Sequence, residues 1–327
     1  MVTFDDILDA AEGIYQERSR PEDITFPSLF RYMGCKPSGY FNHLVKEHYM
    51  SEVEEINQEY DVKISPIALL RAEAGGDNIE DHPIIKARKV YPGFTASQRD
   101  WRTFPTIPLE IDVKEAELLG IIWSDARKND RKRGTYEGIE LFLIGRCNDF
   151  EFYEQVVGPR VKEVFNLSGE VKKHKNKSTI DYTRKGKKYN FTGTSTEPCV
   201  RIGSTAIATW LCEDMGFPDL EAVLELLPLT RQKLAFMEGY LAGKGTPTKC
   251  AKYTKMDVHN NDEHVINVIK TTLEALGVKS KSYTQVQRID SGKNLPKENV
   301  RHLIRMCRGQ IDNLKLLNPR HKRVLYG

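Results

Sequence analysis

The chain has 327 residues and is 39% hydrophobic, with 13 Phe, 14 Tyr and 3 Trp, enough for two or three domains with ordinary cores, which excludes wholesale disorder. Its apolar runs, such as Leu118–Trp123 and Leu141–Ile144, fall far short of the ~20 residues of a membrane span, and its acidic start is no signal peptide, so the expectation is a soluble intracellular protein of cytoplasm or nucleoid with no membrane partner. The net charge of +3 hides an asymmetry: residues 1–110 carry 12 Lys and Arg against 19 Asp and Glu, the remainder 37 against 27, which points to two modules with different partners, the basic one suited to a polyanion.

Residues 1–64 read as a small, mostly helical module. Phe4, Ile7, Leu8, Ala11 and Ile14 recur at helical spacing, and a short helix is predicted over Phe26–Tyr32. Gly34–Ser38 makes a turn, with Ser38 as an N-cap. A further helix is predicted over Gly39–Met50, with Tyr40, Phe41, Leu44, Val45 and His48 as its apolar stripe and Asn42, His43, Lys46 and Glu47 on its exposed face. Helix, turn, helix is the order of a helix-turn-helix module; a tri-helical packing unit without DNA contact fits as well. Residues 65–110, punctuated by Gly75-Gly76, Pro83, Pro92-Gly93, Pro105 and Pro108, read as a linker with one or two short helices draped on the next domain.

A duplication then begins. Glu115–Ala126 opens one copy (111–222) and Lys233–Gly245 opens the second (223–327). Gly120 and Ser124, like Gly239 and Gly243, are four apart and share a helix face, where small residues let two backbones approach closely. Each opening helix is followed by a strand (Gly138–Ile144; Lys252–Val258), an Asn-Asp cap and a helix (Phe150–Leu167; Glu263–Leu276), basic strand-like sequence, and a last helix (Ser204–Met215; Lys297–Leu317, continuous or broken). The predicted fold class is α+β, with the order αββαββα twice.

Leu118–Ala126, LLGIIWSDA, resembles a LAGLIDADG motif, and Phe236–Gly245, FMEGYLAGKG, resembles a variant second copy. The chain is thereby similar, over its last two thirds, to the double-motif, single-chain LAGLIDADG homing endonucleases. The resemblance implies two motif helices packed at the centre of a pseudo-dimer, each half adding a curved antiparallel sheet to a saddle over duplex DNA. It also implies that the last acid of each motif binds catalytic divalent metal, Mg²⁺ for an active enzyme. Asp125 keeps that acid as catalytic and metal-binding residue; Lys244 replaces it in the second motif. An ammonium has three donors, no acceptor and the metal's sign of charge. Two placements of Lys244 fit: an ion pair with Asp125 across the pseudo-dyad, or an outward contact to a phosphate.

The most basic stretch contains Lys172, Lys173, Lys175, Lys177, Arg184, Lys185, Lys187 and Lys188. Ile180 and Tyr182 face Tyr189 and Phe191 across a basic tip, a hairpin pattern. The second copy offers Lys252, Lys255, Lys279, Lys281, Arg288 and Lys293, with Thr254, Tyr283, Gln285 and Gln287 as candidates for base edges. These cations are expected on nucleic acid. Arg320–Arg323 is either a further basic cluster or a disordered tail. The six scattered cysteines, which include no C-x-x-C pair, argue for reduced thiols rather than zinc, and Ser178, Tyr182 and the histidines form no triad.

The sequence thus points to a duplex-DNA-binding protein, a regulator without double-strand cleavage, whose acidic N-terminal module takes a protein partner or a second DNA contact. A Mg²⁺-dependent endonuclease or nickase working through Asp125, and an intron RNA maturase, are the alternatives.

Overall fold

Burial, not local propensity, organises the first hundred residues. In the computed structural model, which describes residues 2–18, 20–97, 99–133, 136–184, 187–250, 253–289 and 297–327, α1 (Phe4–Arg18) turns Ile7, Ala10, Ala11 and Ile14 inward. Helix α2 (Phe26–Tyr32) starts at a capping box: the Thr25 hydroxyl accepts from the Ser28 N–H at 3.2 Å, and Ser28 Oγ accepts from the Thr25 N–H at 2.8 Å. Ser38 caps α3 (Gly39–His48), accepting from the Tyr40 N–H at 3.2 Å. That helix ends earlier than expected, and α4 (Met50–Tyr60) follows at once. Its stripe is also narrower: Phe41 and Val45 are buried, Tyr40 stays 43% exposed, and His48 stacks on Phe4 at 3.6 Å.

The reading of 65–110 as a linker is corrected. It holds α5 (Pro66–Gly75), α6 (Pro83–Val90) and α7 (Asp100–Thr103), and Leu70, Ile84, Ile85 and Trp101 are fully buried. Arg71, also buried, donates to the Ile24 carbonyl (2.9 Å) and the Trp101 carbonyl (3.1 Å), tying the segment to what precedes it. The glycines and prolines that suggested a linker are helix punctuation: Pro66 and Pro83 sit in first turns, where no N–H is needed, and Gly76 closes α5 at φ 68°. Residues 91–106 do drape on the next domain. Gly93 N–H donates to Asp214, Thr95 N–H to Thr209 Oγ1, and Thr106 N–H to the Phe165 carbonyl.

The duplicated region runs α8 (Val113–Asp125), β1 (Ala126–Arg133), β2 (Tyr136–Ile144), α9 (Phe150–Phe152), a wide π turn (Tyr153–Val157), α10 (Gly158–Phe165), β3 (Val171–Arg184) and β4 (Lys187–Ile202). It continues with α11 (Thr205–Thr209), a second π turn (Trp210–Asp214) and α12 (Leu220–Glu225). The second copy runs α13 (Thr230–Lys244), β5 (Thr246–Cys250), β6 (Tyr253–Asn260), α14 (Glu263–Ala275), β7 (Lys281–Ile289), β8 (Lys297–Cys307), α15 (Arg308–Ile311) and α16 (Pro319–Tyr326). The two antiparallel sheets share one topology, β1-β2-β4-β3 and β5-β6-β8-β7. The expected hairpin is present: Ile180 pairs with Phe191 and Tyr182 with Tyr189.

The helix expected over Lys297–Leu317 is corrected to strand β8 followed by the short α15. Ile304 and Met306 alternate inward against Val258 and Met256 of β6, and a two-residue period fits only a strand. Arg320–Arg323 is not a tail either. It lies in α16, where His321 is buried, Arg320 pairs with Asp149 at 3.0 Å and Arg323 pairs with Glu151 at 2.5 Å.

The sheets bury one face each, through Leu141, Leu143, Val200 and Ile202 in the first and Met256, Val258, Ile304 and Met306 in the second, all fully or almost fully buried. Helices such as α14, through Ile266, Ile269 and Leu273, complete that core. The other face of each sheet carries the polar residues described below. Helices α8 and α13 are buried along most of their length, with Glu117, Gln232 and Glu238 as buried polar residues among apolar ones, as befits a central helix pair. Among the described residues no helix is long and apolar enough to cross a membrane.

Candidate nucleic-acid interface and motif-helix centre

Helices α8 and α13 meet backbone to backbone at their small residues. A Cβ added at Gly120 would lie 2.0 Å from the Phe236 carbonyl oxygen; one at Gly239 would lie 2.0 Å from the Glu117 carbonyl oxygen. At Gly243 it would lie 2.0 Å from Ser124 Oγ and 2.6 Å from Asp125 Oδ1. The four small residues singled out in the sequence are therefore brought together, and no larger side chain fits between the helices at these points. The contact is fixed further by Glu117, whose buried carboxylate takes Arg160 at 2.9 Å and also Lys315 of the second repeat.

The crossing delivers Asp125 and Lys244, the last residues of the two helices, to one place. Asp125 is half-buried, and the Tyr153 hydroxyl donates to its Oδ2 at 2.9 Å. Loss of solvent pushes the Asp125 carboxyl up to about 6; the Tyr153 hydrogen bond, the Lys244 charge and Ser124 oppose that shift. Tyr153 is fully buried and supplied by the π turn, and desolvation together with Asp125 holds its phenol well above the usual range.

The anticipated ion pair between Lys244 and Asp125 is not among the ion pairs of the described residues. Lys244 acts on the carboxylate through space, while the tyrosine makes the contact. Arg146 organises the other side. It donates to the carbonyls of Lys244 (3.0 Å) and Gly245 (3.3 Å) and to Thr246 Oγ1 (3.2 Å), satisfying carbonyls that the end of α13 leaves open. Asn318 bridges Asp149 (3.2 Å) and the Ala242 carbonyl (3.1 Å). His321, which lies close to Gly245, is driven down to about 3 by burial and by the charges of Arg320 and Arg146, and so stays neutral.

These groups do not suit a divalent cation. Mg²⁺ and Ca²⁺ demand several oxygen ligands. Asp125 accepts from a phenol, and the residue at the matching helix end, Lys244, is an ammonium that offers no oxygen ligand.

The two open sheet faces flank this centre. Register places Arg127, Phe142 and Arg201 in one row of the first sheet, and Thr246, Asp257, Arg305 and Lys281 in the corresponding row of the second. Arg201 pairs with Glu140. Arg305 grips Asp257 with two bonds, Nε to Oδ1 at 2.8 Å and Nη2 to Oδ2 at 2.9 Å, and lies 5.1 Å over the Tyr283 ring.

The cations expected from the sequence divide. Lys172, Lys173 and Lys175 are exposed on β3. By register Lys172 falls on the open face, whereas Lys173 and Lys175 share the side of Val171 and Val200; Lys172 also pairs with Glu170 at 3.0 Å. Lys177 and Arg184 continue β3, Lys187 and Lys188 begin β4, and Arg288 lies in β7 opposite Glu298. Lys279 and Lys281 are exposed at the start of β7. Lys255 is instead held in the sheet by Asp257 at 2.7 Å. Lys185, Lys252 and Lys293 lie outside the described residues. Tyr283 and Gln285 occupy exposed positions in the open-face register, and Gln287 continues it. Thr254 falls on the other face with Met256 and Val258, since alternate residues of a strand face opposite ways.

Sequence reasoning missed Tyr153, Arg146, the Arg201–Glu140 pair and the Arg305–Asp257 pair. The strand pairs left a signal: Asp257 lies between inward Met256 and Val258, Arg305 between inward Ile304 and Met306, and Arg201 between inward Val200 and Ile202.

A family model described as a LAGLIDADG-like domain matches residues 231–311. No curated protein sequence matches the chain. Among solved structures, the chain is similar to I-DmoI in complex with DNA and Ca, at 15% identity over 61% of this chain and 86% of that one, TM-score 0.38. It is also similar to a mesophilic variant of the homing endonuclease I-DmoI, at 16% identity over 62% and 92%, TM-score 0.38. Full-length DUF199/WhiA from Thermatoga maritima is similar at 10% identity over 67% and 61%, TM-score 0.32. The second repeat thus carries a LAGLIDADG-like domain, the first repeats its sheet topology, and the two motif helices pack at their small residues, so the chain is similar to the LAGLIDADG family.

Proposed function

We propose that the chain binds duplex DNA across its two open sheet faces and does not cut both strands by a paired-metal mechanism. The observation that carries this reading is the motif-helix end: one carboxylate, Asp125, held by Tyr153, with Lys244 where the second acid would stand. Exposed Lys172 of β3 and Lys281 at the start of β7, both in the open-face register, supply charge for phosphate contact. The function is that of a regulator, in which the helical N-terminal region takes a protein partner or a second DNA contact. The turn between α2 and α3, and the exposed Asn42, His43, Lys46 and Glu47 of α3, support a helix-turn-helix role there.

The test is selection from a randomised duplex library, with Mg²⁺ or Mn²⁺ and with EDTA in parallel. Metal-independent enrichment of one site of ~20 bp, with no cut or nicked product, supports the reading, a length that suits two half-sites one helical turn apart. Metal-dependent nicking that disappears in Asp125→Asn would establish a single-carboxylate nickase instead. Preference for structured RNA over duplex would point to a maturase.

A further inference from the structure

We propose, resting on the DNA-binding reading above, that Arg305 reads a guanine in the half-site beneath the second repeat, and that Asp257 and Tyr283 are the residues that position it. The guanidinium carries five N–H donors in a planar fork. Asp257 takes the Nε and one Nη2 hydrogen, at 2.8 and 2.9 Å. The ring of Tyr283 lies 5.1 Å from the guanidinium carbon. A carboxylate on one edge and an aromatic ring beside the plane fix the guanidinium's direction. The remaining edge, Nη1 with the second Nη2 hydrogen, matches O6 and N7 of guanine in the major groove. Among the described residues no acceptor is bonded to that edge, and the Arg305 side chain is 30% exposed on the open face.

Charge argues the same way. An arginine meant only for phosphate attraction gains nothing from a carboxylate at contact distance. Asp257 here carries both Lys255, at 2.7 Å, and Arg305, so much of the local positive field is cancelled while the donor geometry is kept. Phosphate contacts carry no sequence information; oriented donors do. The arrangement recurs: Arg201 holds the same register position in the first repeat, directly after inward Val200 as Arg305 follows inward Ile304, and it too pairs with a carboxylate, Glu140.

The experiment uses the full chain. A duplex site is first enriched with the unaltered protein, then every position is substituted and binding compared for the unaltered protein, Arg305→Lys, Asp257→Asn and Arg201→Lys. Thermal melts confirm that each variant is folded. Arg305→Lys keeps the charge and loses the fork. It should hold overall affinity within several-fold and lose roughly ten- to a hundredfold of guanine preference at one position. Asp257→Asn should relax preference at that same position, and Arg201→Lys should leave it unchanged. A folded Arg305→Lys with an unaltered position profile overturns the inference and leaves the DNA-binding reading intact. Failure of the unaltered protein to enrich any duplex overturns that reading, and this inference with it.

Discussion

Replacing Gly239 by alanine puts a methyl carbon 2.0 Å from the Glu117 carbonyl oxygen and 3.1 Å from the Ile121 nitrogen. Both obstacles are helix backbone, so no rotamer change relieves the clash. An ordinary contact needs about 3.4 Å, so α8 and α13 must separate locally by about 1.4 Å, thinning the packing along the whole crossing. Core overpacking usually costs about 1–3 kcal/mol; a rigid obstacle and the neighbouring Gly120 and Gly243 contacts put this case at the upper end or above, about 3–5 kcal/mol. Helix propensity returns about 1 kcal/mol of that. At roughly 2 °C per kcal/mol for a chain of this size, the net of about 2–4 kcal/mol should lower Tm by about 4–8 °C. The control is Gly309→Ala in α15, where an added Cβ meets nothing within 4 Å; its Tm should hold or rise slightly. Thermal and urea unfolding measured side by side decide the matter. A Gly239→Ala protein as stable as the parent would refute the described packing, and with it the placement of Asp125 beside Lys244.

Asp125 should make the protein less stable as pH rises. Its native pKa of about 6 lies above the ordinary 3.8, so the native state binds the proton more tightly, and stability declines between about pH 4 and 6 and then levels off. Asp125→Asn, which keeps an acceptor for Tyr153, should flatten that decline and melt no lower than the parent at pH 8; a steeper decline in the variant would contradict the assignment. Glu117→Gln should cost roughly 2–3 kcal/mol by urea titration, because Arg160 and Lys315 lose the buried charge they share; a neutral effect would show that the pair contributes nothing. Changing Lys172 and Lys281 together to Gln should weaken duplex binding at all sequences and reduce the salt slope by up to about 2. A change in sequence preference instead would mean that these residues contact bases.

Local periodicity determined much of this fold without tertiary help. The helix pair α8 and α13 was legible because small residues four apart mark one helix face, and the hairpin around 184–187 because apolar and aromatic residues alternate on both sides of a basic tip. Lys244 at the end of the second motif was equally plain, since it needs only the sequence to be seen. Elements whose identity depends on a partner were not legible. Lys297–Cys307 is rich in charge and lacks a strong period, and it becomes a strand because β6 and β7 bond to it on both sides. Residues 65–110 resembled a linker because glycine and proline look alike whether they break a chain or cap its helices. The candidate site was divided in the same way. Asp125 and Lys244 are sequence facts, but Tyr153 reaches Asp125 from 28 residues away, and Asp257 and Arg305 meet only across two strands. Side chains distant in the chain carry no mutual signal in a single sequence. Their distances, their desolvation and therefore their chemistry are set only once the sheets and the central helices have packed.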